Sequence, residues 1–148
     1  MEVKNLFDPV VKQEMIARIN RLSPSSQRQW GKMNVSQMLA HVQLPICCAY
    51  GTHRVQGSVF LKLFGPLFKG VLYNEKPYSK GLPTDKTYVI SGEKDFETEK
   101  QNLVSLVNKF SPDTVVMERH PVFGKLTKEQ WSKATWKHLD HHLQQFGA

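Results

Sequence analysis

The chain has 148 residues, 40% apolar and 22% charged, which suits one domain with a real core over residues 1–148 and excludes an intrinsically disordered chain. Its 20 Lys and Arg against 13 Asp and Glu leave +7 with neutral histidine, yet no basic run exceeds one residue, so nucleic acid is not an expected partner. Cys47 and Cys48 are adjacent and cannot staple the fold, and neither a leader nor an 18-residue apolar run is evident, so a reduced, cytoplasmic protein without membrane insertion is expected.

Asp8 before Pro9 starts a first helix, with the proline at the position where its missing N–H costs nothing. Val11, Met15, Ile16, Ile19 and Leu22 recur at helical spacing until Ser23-Pro24 closes the segment. Residues 24–33 read as a connection anchored in the core by Trp30. Asn34 with Gln37 is a capping box for a second helix to about Tyr50, before Gly51. That helix is apolar on nearly every face, through Val35, Met38, Leu39, Val42, Ile46 and Ala49, and should be the most buried. Pro45 within it removes the hydrogen bond to the carbonyl of His41 and predicts a local bend.

The Phe- and Leu-rich stretch from Ser58 to Tyr73 is helical in period but divided by Gly65-Pro66, which predicts two short helical pieces or one kinked helix. Residues 74–92, with Pro77, Gly81, Pro83 and Gly92, read as a long irregular connection in which Thr87 to Ile90 is extended. Phe96, Leu103, Leu106, Val107 and Phe110 form the next amphipathic stripe, ended by Ser111-Pro112, and residues 111–126 read as a loop.

The last helix starts at a second capping box, Thr127 with Gln130, and runs to Phe146 before Gly147. Trp136, Leu139, Leu143 and Phe146 form its core stripe, while Lys133, Lys137, Asp140 and Gln144 are assigned to the opposite, polar side. Along the border run Trp131, Thr135, His138, His142 and Gln145. Two imidazoles one helical turn apart can share a metal ion, and His41 on the central second helix is the natural third ligand. The same spacing also suits histidines at the edge of a core. His53 and His120 are assigned structural roles, His141 a solvated or neighbouring one, and Cys48, two turns beyond His41, an inert buried thiol. Neither Asp140 nor Gln145 is placed to serve as a general base. The residue after His138 is Leu139, so the HExxH arrangement of a zincin is absent.

The segment His138-Leu-Asp-His-His142-Leu-Gln-Gln145 resembles the final-helix pattern of the DinB-like (YfiT-like) metalloenzyme superfamily, and Met33-Asn-Val-Ser-Gln-Met-Leu-Ala-His41 resembles the start of its second helix. Phe64-Gly-Pro-Leu-Phe68 and His120-Pro-Val-Phe-Gly-Lys-Leu-Thr127 are similar to segments of a branch of that superfamily known as a domain of unknown function. The resemblance implies an all-α, up-down-down-up four-helix bundle with a decorated crossover between helices two and three. It implies one divalent metal ion, zinc or nickel, on His41, His138 and His142, and a homodimer acting on a small-molecule substrate. The activity implied is thiol S-transfer to a small electrophile with a low-molecular-weight thiol cosubstrate. A metal-dependent hydrolase is the alternative, and a non-catalytic structural or binding bundle the second alternative. An enzyme requires the histidines to converge with solvent access and polar partners.

Overall fold

The computed structural model describes residues 1–82 and 84–148. Among the described residues the chain is all-α apart from one short hairpin, with helices α1 (Pro9–Arg21), α2 (Val35–Ala49), α3 (Val59–Phe68), α4 (Phe96–Lys109) and α5 (Lys128–Gln145). Every helix begins at a side-chain cap: Asp8, Asn34, Ser58, Asp95 and Thr127 each accept a backbone N–H from the first turn. The Asn34–Gln37 and Thr127–Gln130 pairs close as reciprocal capping boxes. Gly147, at φ +73°, turns the chain out of α5 while Ala148 N–H returns to the Leu143 carbonyl.

Helices α1 and α2 both pack against α4 and α5, so these four surround one core. Its fully buried side chains include Leu6, Met15, Ile19, Met38, Leu39, Leu103, Phe110 and Leu139. The central helix α2 runs unbroken through Pro45 and buries all six apolar positions expected of it. The stripe Trp136, Leu139, Leu143 and Phe146 of α5 is buried as its spacing requires.

The α5 face assigned to water is partly buried. Lys137 is 1% exposed, and its ammonium donates to the carbonyls of Val71 at 2.6 Å and Asn74 at 2.9 Å and to Asn74 Oδ1 at 2.9 Å. Asp140 is buried against Arg18 of α1, with Nη1 to Oδ1 at 2.7 Å, and also accepts from Gln144 Nε2 at 2.7 Å. Helical period locates the polar side, but only the tertiary fold shows that the crossover and α1 lie over it.

Other stretches settle or correct an expectation. Of the two forms expected for residues 58–73, the single helix is found: α3 passes through Gly65-Pro66 and yields to a 3-10 turn, Lys69–Leu72, only after Phe68. Gly65 is a contact point rather than a break, because a Cβ there would run into the carbonyl oxygen of Val122. Thr87 and Tyr88 are not extended: the Asp85 carboxylate accepts from Thr87 N at 2.8 Å and Thr87 Oγ1 at 2.6 Å and winds Lys86–Tyr88 into a 3-10 turn. Residues 111–126 contain an antiparallel pair, β1 (Arg119–His120) and β2 (Gly124–Lys125), in register Arg119 to Lys125 and His120 to Gly124. Trp30 does not enter the core. The backbone around it is tied to the end of α5 through Gln29 N–H to the Gln145 carbonyl at 2.8 Å, which leaves the indole half-buried over His141. Pro83 lies outside the described residues.

Candidate metal centre

Helix α2 carries His41 and α5 carries His138 and His142, and the packing of these two helices brings the three imidazoles together. Ring centroids are 5.1 Å apart for His41 and His138, 4.7 Å for His41 and His142, and 4.7 Å for His138 and His142. One ligand nitrogen from each ring lies within 4.8 Å of the other two. Two nitrogens bound to one tetrahedral zinc stand about 3.3 Å apart, so closing on a single ion requires ring movements of about an ångström.

The surrounding hydrogen bonds fix which nitrogen is free. His41 Nδ1 donates to the carbonyl of Tyr88 at 2.8 Å, and His142 Nδ1 donates to Gln145 Oε1 at 2.8 Å. In a neutral imidazole each bond leaves Nε2 as an unprotonated lone pair. Gln145 is itself held, because its Nε2 donates to the Trp30 carbonyl at 2.7 Å. The support runs from the 24–33 connection through Gln145 to His142, and from the Lys86–Tyr88 turn directly to His41. This is the arrangement of second partners that orients metal-binding histidines.

Burial keeps the three rings neutral. It pushes the pKa of His41 down, takes His138 well below its ordinary value, and with the nearby His41 lowers His142 to about 3. At neutral pH all three therefore offer lone pairs with no proton to displace. His41 is 3% and His142 8% exposed, and His138 as a whole residue is partly buried. The donor set, nitrogen only and uncharged, fits a borderline divalent ion such as zinc or nickel.

His141 stands beside the cluster, 5.1 Å from the His142 ring, and walls a cleft of about 230 Å³ that Trp30, Tyr78, Lys80, Lys137 and Gln144 also line. A larger surface groove of about 530 Å³ is lined by residues such as Asn20, Lys100 and Val104 on α1 and α4, and includes none of the histidines. The smaller cleft reaches His141 beside the cluster, but none of His41, His138 and His142 lines it.

Cys48 is fully buried, and burial pushes its thiol up to about 11, so it is no thiolate at neutral pH. His53 stacks on Tyr88 with ring centroids 5.5 Å apart, outside the cluster. His120 is structural: its Nδ1 accepts the amides of Val122 at 3.1 Å and Phe123 at 3.2 Å and shapes the hairpin. The sequence gives no sign of the carbonyls of Tyr88 and Trp30, since a backbone acceptor leaves no side-chain signature.

No curated protein and no solved structure matches the chain. Residues 9–148 match the family described as "Protein of unknown function (DUF1569)", a span that holds all three histidines and both of their oriented partners. The chain belongs to that family, whose description assigns it no activity.

Proposed function

We propose that His41, His138 and His142 hold one divalent metal ion, zinc or nickel, and that the chain is a metal-dependent thiol S-transferase with the up-down-down-up bundle of the DinB-like superfamily. The observation that carries the reading is the pair of oriented imidazoles, each with Nδ1 engaged and Nε2 left free. A bound ion would supply a positive charge that lowers the pKa of a thiol or water beside it.

The chain's own residues favour thiol transfer over hydrolysis. Asp140 is occupied by Arg18 and Gln144, so it is not free to take a proton from water. Cys48 is a buried neutral thiol and not the reacting sulfur, which this reading takes from a low-molecular-weight cosubstrate. In the reaction this thiol gives up its proton to solvent, its sulfur bonds to an electrophilic carbon, and a leaving group departs with the bonding pair. Hydrolysis remains the alternative activity. A binding role without catalysis has one observation of its own, the exposed apolar surface of α3. The assembly we propose is a homodimer; each chain holds a whole triad, so the metal chemistry needs nothing from the partner.

The test is turnover of chlorodinitrobenzene by metal-loaded protein with a panel of low-molecular-weight thiols. Activity should require both metal and thiol and fall about 100-fold or more in His41→Ala. No turnover with any thiol, in protein shown to be loaded, would contradict the transferase reading.

A further inference from the structure

Helix α3 presents its most apolar face to solvent. At 100° per residue, Val59, Phe60, Leu63 and Leu67 fall within one arc, nearly opposite the Gly65 contact with the hairpin. They are 84%, 67%, 69% and 77% exposed. Phe64 and Phe68, also exposed, extend the surface on one side, and Pro66 and Lys62 border it on the other. Monomers seldom leave apolar patches of more than a few hundred Å² uncovered. With its flanks this one reaches on the order of 700 Å², comparable to the roughly 800 Å² that each partner contributes to a standard stable interface.

We infer that this face of α3 is where two copies of the chain join about a twofold axis. The inference rests on the homodimer reading and on no part of the metal chemistry. A twofold interface must be complementary to itself, and the outward arc carries no charge, so facing copies bury no like charges against each other. Val59, Leu63 and Leu67 recur every four residues as a single ridge, the geometry that packs between the ridges of an identical helix. An anionic bilayer is the less suitable occupant. Helices that lie in a membrane surface carry rows of Lys and Arg along the polar face. Helix α3 has Lys62 alone among its ten residues, and Lys69 just beyond is turned to the Lys125 carbonyl at 3.3 Å.

Sedimentation velocity of the full chain at about 20 µM, a concentration at which an interface of this size is expected to hold, tests the inference. Wild type should sediment at twice the 17.0 kDa chain mass, and Leu63→Lys with Leu67→Lys should sediment as a monomer with unchanged helical circular dichroism. Leu63→Gln with Leu67→Gln provides a milder second variant should the lysines disturb folding. A monomeric wild type, or a dimer that survives both double variants, would overturn the inference. So would flotation of monomeric wild type with phosphatidylserine vesicles, which would assign the face to a bilayer. Metal per chain measured in the same samples separates the two readings, since loss of the dimer leaves each triad whole.

Discussion

Gln145 makes two hydrogen bonds at once, accepting from His142 Nδ1 and donating to the Trp30 carbonyl. Its replacement by leucine removes the group that orients His142, and a metal affinity 10- to 100-fold weaker, about the effect of losing a second partner, is expected in chelator competition. Unchanged affinity would mean that Gln145 serves only the fold. His120 governs a different property. Burial lowers it from 6.5 to about 4, so the unfolded chain binds a proton more readily in that interval and stability rises with pH there. Its contribution is complete above about pH 6.5 and is lost as pH falls toward 4, a change of about 3 kcal/mol. The buried triad pushes in the same direction in metal-free protein. His120→Asn can still accept the two amides but does not titrate, so its urea midpoint should vary less between pH 6.5 and 4 than that of wild type.

At the scale of elements, two contacts fix the crossover that carries α3. Lys137 on α5 gives its three donors to Val71 and Asn74 and has no carboxylate partner among the described residues; burial lowers it to about 8. Lys137→Met keeps the stem but leaves those acceptors unfilled, and a loss of about 2 kcal/mol in urea unfolding is expected. A loss below about 0.5 kcal/mol would mean that water replaces the ammonium freely. Gly65 makes the second contact. Alanine there gains about 1 kcal/mol of helix propensity, but its Cβ meets the Val122 carbonyl, a backbone atom that cannot swing aside. The clash should win by about 1–2 kcal/mol, seen as a lower melting temperature and faster proteolysis between residues 51 and 74. The helix starts were legible because Asp8, Asn34 and Thr127 cap through their own side chains. The choice between two pieces and one helix through Gly65-Pro66 was not, because a glycine that ends a helix and a glycine that admits a close neighbour look the same in one dimension. The same limit applies to Lys137 and Asp140, whose charges predict water until the elements packed over them are known. The histidine triad was legible in part: helical period placed His138 and His142 together, but the approach of His41 is tertiary, and so is the half-buried position of Trp30.

For the whole molecule, the metal is expected to couple to stability. A folded chain that binds an ion through three preset neutral histidines gains about 4 kcal/mol at 1,000 times the dissociation constant. The melting temperature should therefore rise on addition of zinc or nickel and fall with chelator, while the triple variant His41→Ala, His138→Ala, His142→Ala responds to neither. The most direct measurement is elemental analysis of untagged protein purified without chelator or nickel resin, beside that triple variant. The account predicts about one divalent ion per chain in wild type, as a single three-histidine site requires, and none in the variant. Wild type without metal, even after zinc, nickel, iron and manganese have each been supplied, would contradict it.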